Sequence, residues 1–373
     1  MKTPTRLYDY RLPREMIAQE PAGERDSSRL LVVERGAGTL THRRFGDIAG
    51  YLREGDLLVV NDTRVFPARL FFKKETGARI EFLFVHPVDT ADESAWIALA
   101  KPGKRLKEGI KLSLEKNPGI SIEVEGKDAE EGTYSVRFHP PAPRLRGGRL
   151  RGVFERYGAV PLPPYIEKPL ADIDRYQTIY SNADGGTCGV TCGSTAAPTA
   201  GLHFTPELME KLKGIGCRIA SVTLHIGYAT FRPIRTEFAE DHPMHAEWYS
   251  VPDETAAAIN RTRKNGGRVV AVGTTSVRTL ESWAKTAPLP SRGGGETCGV
   301  THGSAGAWTN LYITEGFPFR AVDVLVTNFH LPKSTLIVLT AAFCGRELLL
   351  RAYGEAIKNG YRFYSLGDAM LIL

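Results

Sequence analysis

Cysteine is scarce in this chain, five in 373 residues without framework spacing, which speaks against a disulfide-stapled secreted scaffold and for a reducing compartment. Long apolar runs are absent as well. The longest, Leu336 to Cys344, falls far short of the roughly 20 residues that a membrane-spanning helix needs. The opening stretch MKTPTRLYDYRLP is polar and aromatic and lacks the apolar centre of a secretory signal. A cytoplasmic protein with no membrane partner is therefore expected. Acidic residues are outnumbered, 42 against 48 Lys and Arg, for a net charge of +6. That surplus permits a polyanionic partner, because clustered cations bind phosphates by releasing counterions, but does not require one. Two fold signals are also missing. No Gly-rich dinucleotide fingerprint follows a strand, which argues against an ordinary Rossmann methyltransferase, and no eightfold strand-helix alternation suggests a TIM-type barrel.

What is present is enough apolar residue, 42% of the chain, to bury one large core or two smaller ones. The run DLLVV ends in Asn61 and Asp62, a strand that delivers a polar turn. Between Ala68 and His139 the stretches RLFFKK, RIEFLFVH, AWIALAK, IKLSLEK, ISIEVEG and TYSVRFH alternate or nearly so between turn signals, the pattern of a small antiparallel barrel. Beyond Val153 the texture is mixed α/β. TPELMEKLKG opens at Thr205, Pro206 and Glu207 and can close on Gly214, and Asp253 and Gly266 bracket a second helix. RVVAVGTTSVRTLES reads as a buried strand, a Gly-Thr-Thr-Ser turn and a helix. The expected fold is α/β: a larger mixed α/β catalytic domain from residues 1–67 and 151–373, interrupted by a β-barrel domain at 68–150. Pattern alone leaves a simple succession of domains open.

One family is similar to this chain along nearly its whole length. The stretches YDYRLPREMIAQEPAGERDSSRLLVV, GDLLVVNDTRVFPARL, VPLPPYI, DRYQTIY, AAPTAGLHFT, VTLHIGYATFRP, MHAEWY, VVAVGTTSVRTLES, VDVLVTNFHLPKSTL and YRFYSLGDAMLI run in order from Tyr8 to Ile372. They resemble the S-adenosylmethionine:tRNA ribosyltransferase-isomerases of queuosine biosynthesis. The resemblance implies an α/β domain holding an inserted barrel, S-adenosylmethionine as ribosyl-donor co-substrate, and the anticodon region of tRNA as partner. It implies transfer of the ribosyl group to the aminomethyl group of a 7-deazaguanine, isomerisation to epoxyqueuosine-tRNA, and release of adenine and methionine. A monomer is expected.

That chemistry asks for a base near the acidic C–H beside the sulfonium and a proton donor for departing adenine. His203, His225 and His330 each sit where an apolar stretch meets Gly, Asn or Pro, as a strand end presents a side chain to a cleft; each is equally readable as a satisfied structural histidine. If MHAEWYSV is a strand, period 2 puts His245, Glu247 and Tyr249 on one face, so that His245 and Glu247 handle a proton, or Glu247 or Tyr249 offsets the sulfonium charge. The bland alternative is a surface ion pair. Thr274, Thr275 and Ser276 open a helix suited to an anion, with Arg278 along it to assist, or else they simply cap it. Asp62 and Asn61, with Arg64, Arg25, Asp26 and Arg29 nearby, either meet the ribose or tie turns together. Asn328, Lys333 and Ser334 flank His330 as contacts to tRNA or donor.

Departures from the family pattern are local. GGTCGVTCGS and GGETCGVTHGS form a near-repeat whose Cys188, Cys192, Cys298 and His302 have the ligand number of a structural zinc site, against the reading of two inert glycine-rich loops, and no metal is assigned. Arg144, Arg146, Arg149 and Arg151 lie in a Pro/Gly-rich connection, as a phosphate clamp or a solvated linker, and Tyr228, Ala229 and Tyr312 are smaller differences. Two other functions compete: a base-exchanging tRNA transglycosylase, and a noncatalytic RNA-binding protein that uses the barrel as its platform.

Overall fold

Runs buried along their whole length form the middle of the larger of two sheets. In the computed structural model, residues 2–89, 92–104, 106–129, 131–139, 150–182, 194–227, 230, 233–287, 289–290 and 302–373 are described. β1 (Arg29–Glu34), β2 (Thr39–Arg44) and β3 (Leu57–Asn61) come first, and β3 is buried at every position. Six strands of opposite texture follow: β4 (Arg69–Lys73), β5 (Arg79–Asp89), β6 (Asp92–Lys101), β7 (Lys111–Leu114), β8 (Asn117–Lys127) and β9 (Tyr134–His139). These are the six alternating stretches of the sequence. Their period of 2 turns Leu70, Phe72, Ile80, Phe82, Val136 and Phe138 inward, where α1 (Arg151–Tyr157) adds Val153 and Phe154. The strands pair antiparallel in the order β4-β5-β6-β9-β8-β7, and β7 returns to β4, so the barrel has no open edge.

The chain then completes the large sheet. α2 (Pro206–Gly214) leads to β10 (Arg218–Leu224), β11 (Glu247–Val251) and α3 (Asp253–Lys264). β12 (Val269–Val272) runs into α4 (Thr274–Thr286), followed by β13 (Ser304–Thr309) and β14 (Val324–Asn328). α5 (Thr335–Cys344), α6 (Arg346–Lys358) and β15 (Ala369–Ile372) close the chain. The strand order is β13-β11-β10-β3-β12-β14-β15-β1-β2. β10, β3, β12 and β14 are mutually parallel, and β3, β12 and β14 are buried at every position and apolar up to their carboxyl ends, as strands covered on both faces are. The architecture is thus mixed α/β with a closed six-stranded antiparallel barrel, and its sheet is open, unlike a TIM barrel.

Two compact units carry these sheets: Met1–Thr63, Pro163–Ser181 and Ala197–Leu373 form one, Arg64–Leu162 and Asn182–Ala196 the other. Helix ends correct the sequence reading in detail. Thr205 caps α2 by accepting from Leu208 N–H at 3.1 Å, but the left-handed residue after it is Gly216 (φ 86°), with Gly214 still helical. Gly266 (φ 71°) ends α3 as expected. α4 has a glycine at its cap, Gly273 (φ 89°), and no capping side chain, so neither Thr274, Thr275 nor Ser276 serves that purpose. Among the described residues no helix is long and apolar enough to cross a membrane.

Candidate active site

Because β3, β10, β12 and β14 run parallel, their carboxyl ends share one edge of the sheet, and four polar segments of the sequence arrive there together: Asn61–Thr63, His225–Gly227, Gly273–Thr275 and Asn328–His330. This is where open α/β sheets bind ligands. A cleft of about 530 Å³ opens at the β12 and β14 side, with His330, Thr274, Thr275, Asn328, Tyr165 and Tyr364 in its walls.

At β12, the positive φ of Gly273 lets the chain turn directly from strand to helix while its N–H donates to Val326 O at 2.7 Å. The first N–H groups of α4 therefore lack a capping side chain, and the buried Thr275 Oγ1 has no hydrogen-bond partner. A helix N-terminus in that state attracts a carboxylate or another electron-rich group. Ser276 turns away and bonds Val272 O at 2.7 Å. At β14, His330 Nε2 meets Thr327 Oγ1 at 2.8 Å, and its backbone N–H donates to Tyr353 Oη at 2.8 Å. Burial pushes the imidazole down to about 3, so it is neutral near pH 7. Lys333 is taken up by an ion pair with Asp9 at 2.6 Å, and Ser334 caps α5 through Ile337 N–H.

The other expected residues, apart from one nitrogen of His225, are drawn into networks within the protein. His203 stacks on Phe45, its Nε2 accepts from Asn328 Nδ2 at 3.1 Å, and Nδ1 pairs with Ser28 Oγ at 2.7 Å. Both ring nitrogens are occupied, and burial pushes the group down to about 3. Asn61 is fully buried: Oδ1 accepts from Thr63 and Leu224 N–H, and Nδ2 donates to Leu224 O. It clamps the end of β3 to β10 and, fully buried, presents no surface to a ligand. Asp62 accepts from Thr223 Oγ1 at 2.7 Å, and burial raises its pKa. His225 stacks on Trp248 and pairs through Nδ1 with Thr63 Oγ1 at 2.9 Å; its buried Nε2 has no partner, and burial lowers it to about 4.

The proposed face of His245, Glu247 and Tyr249 does not form as drawn, because β11 begins at Glu247 and leaves His245 ahead of the strand. Glu247 is buried. It is ion-paired with Arg278 and accepts from Gly227 N–H at 2.8 Å and Thr230 Oγ1 at 3.0 Å. Arg278 also donates to Leu311 O at 3.2 Å, so it braces β11 and the loop after β10 and does not assist an anion at the helix start. Tyr249 is buried in β11, and burial raises its pKa. The cleft's aromatic walls are Tyr165 and Tyr364, centroids 4.9 Å apart, with Tyr165 Oη bonded to Ser365 Oγ at 2.6 Å. Tyr364 has φ 69°, a left-handed conformation costly for a bulky residue. Sequence reading passed over these residues, and over Thr199 and Thr230, although their segments were recognised.

Cys188, Cys192 and Cys298 of the zinc reading, Arg144, Arg146 and Arg149 of the clamp, and Tyr228 and Ala229 lie outside the described residues. Among the described residues no group of three His, Cys, Asp or Glu is placed to hold a metal.

Comparison with known proteins meets this geometry independently. Residues 5–372 match the profile of a family described as queuosine biosynthesis protein. An S-adenosylmethionine:tRNA ribosyltransferase-isomerase of Acetivibrio thermocellus is 46% identical over 97% of this chain and 98% of its own. Its counterpart in Staphylococcus saprophyticus is 44% identical over 98% of each. The crystal structure of an S-adenosylmethionine tRNA ribosyltransferase from Thermotoga maritima is 38% identical, covering 98% of this chain and all of that one, with a TM-score of 0.51.

Proposed function

The chain belongs to the queuosine biosynthesis protein family, and from that membership we propose that the cleft at the carboxyl ends of β12 and β14 is where its reaction takes place. The protein is an enzyme, a ribosyltransferase and isomerase, with S-adenosylmethionine as ribosyl donor and tRNA as acceptor. The two competing functions, base exchange and noncatalytic RNA binding, are not favoured by relatives that carry this activity in their names.

The finer reading is ours. The acceptor is the aminomethyl group of a 7-deazaguanine in the anticodon, the products are epoxyqueuosine-tRNA, adenine and methionine, and the protein acts as a monomer in the cytoplasm. Residues 68–150 form a domain inserted into a catalytic domain of 1–67 and 151–373. The observation that carries the site is the open start of α4 facing the same cleft as His330, with the hydroxyl of Thr275 buried and unpartnered. Thr274 and Thr275 receive an electron-rich group of the donor, and the faces of Tyr165 and Tyr364 lie against its sulfonium.

His330 takes the proton from the 5′ carbon, whose electron pair stays on that carbon. Burial makes an imidazolium costly in the empty cleft. In the loaded cleft the sulfonium and the new carbanion together form a net-neutral ylide and the ring takes up the positive charge, so charge is moved and not created. The imidazolium is then a proton donor for adenine as it leaves. His203, Asn61, Asp62, Glu247 and Arg278 hold this arrangement, and the unpartnered Nε2 of His225 at the neighbouring strand end is left for the acceptor. The test is incubation of the protein with S-adenosylmethionine and tRNA bearing the aminomethyl-deazaguanine. Adenine release that depends on that tRNA is expected; binding without release, or exchange of the free base, contradicts the reading.

A further inference from the structure

A second, smaller cleft of about 280 Å³ lies in the same unit and shares Ser365 with the first; Arg25, Arg175 and His203 are among its walls. We propose that it is an oxyanion site, in which Arg25 and Arg175 hold a phosphate or carboxylate of a substrate beside the reaction cleft. The inference rests on the reading above for where the reaction lies.

The two guanidinium groups are fixed by each other's segments. Arg25 donates to Asp174 O at 3.1 Å and to Leu202 O at 3.0 Å, while Arg175 donates to Ala22 O at 2.7 Å and Gly23 O at 2.9 Å. All four acceptors are backbone carbonyls, which orient a cation without neutralising it. Neither arginine makes an ion pair with a described residue, and Asp172 acts on Arg25 only through space. Arg175 Nε is buried and has no partner. Burial and the charge of Arg175 both weaken the hold of Arg25 on its proton, and burial and then the charge of Arg362 keep His203 neutral. Positive charge is thus concentrated, partly desolvated and offset only by the through-space attraction of Asp172. Like charges so placed are unfavourable until an anion joins them, and a rigid guanidinium fork suits the planar or tetrahedral oxygens of carboxylate and phosphate.

Two sources fit that chemistry: a phosphate next to the modified nucleotide of tRNA, and the carboxylate of the donor's amino-acid portion. They are separable in the full-length protein by measuring tRNA affinity at several salt concentrations and S-adenosylmethionine affinity by calorimetry, for Arg25→Gln and Arg175→Gln. A fall of about tenfold in tRNA affinity alone, with the salt slope reduced by about 0.7–0.9 per lost contact, identifies a phosphate. A similar fall for S-adenosylmethionine alone identifies the carboxylate. No change in either, or an equal fall in both, overturns the proposal. Should a variant fail to fold, inorganic phosphate provides the second measurement on the unaltered chain: it must compete with one of the two ligands beyond a chloride control of equal ionic strength, and lack of competition at tens of millimolar overturns the site. Adenine release by the unaltered enzyme tests the reaction separately, so the two readings can fail independently.

Discussion

The two sides of one sheet edge differ in what their polar groups are left to do. At the β3 and β10 side, Asn61 and the Glu247–Arg278 pair close upon partners in the protein and Asp62 is tied to Thr223, while His225 Nε2 alone of these groups stays open. At the β12 and β14 side, Thr275 keeps a buried hydroxyl without a partner, and His330 lines a cleft with one ring nitrogen assigned to Thr327. Similar residue types, at equivalent strand ends, thus divide into groups that hold the frame and groups that remain for a substrate. A completed network cannot receive a ligand without losing bonds it already has.

The strongest way to break this contrast is at the closed side. Glu247→Gln leaves Arg278 buried without its counter-charge and should destabilise the fold by about 3–5 kcal/mol, measured by urea unfolding. A change below about 1 kcal/mol would mean that Glu247 is not a brace. A smaller effect sharpens the contrast through pH. Burial holds His203 neutral with a folded pKa of about 3, below the roughly 6.5 of an unfolded histidine. Its contribution is complete above about pH 6.5 and is lost as pH falls toward 3, at up to about 1.4 kcal/mol per pH unit. His203→Gln should therefore flatten the dependence of unfolding free energy on pH between 6.5 and 4; an unchanged slope would show that His203 is not held neutral by the fold.

The barrel was legible in the sequence because its code is local. RLFFKK and TYSVRFH alternate with the pleat, and β4 and β9 bury those same alternate residues. The polar segments of the cleft were legible as segments, since NDT, HIGY, GTTS and NFH each interrupt an apolar strand. Which of their side chains remain open was not, because it depends on pairing between distant strands. Asn61 is consumed by Leu224, 163 positions away, and Glu247 by Arg278, 31 away. MHAEWYSV misled for a simpler reason: alternation has no marker for where a strand starts, and β11 starts at Glu247. Tyr364 carries no sequence sign of its left-handed backbone, which the surrounding fold imposes.

The claim that chemistry belongs to the open side is tested most directly by following hydrogen loss from the 5′ carbon of isotopically labelled S-adenosylmethionine in the presence of acceptor tRNA, for His330→Gln and His203→Gln with folding checked by thermal melts. The account predicts that His330→Gln melts like the parent chain and loses label release by at least about 10²-fold, while His203→Gln, once folded, retains it within about tenfold of the parent. Release at the parent rate from His330→Gln would contradict the account.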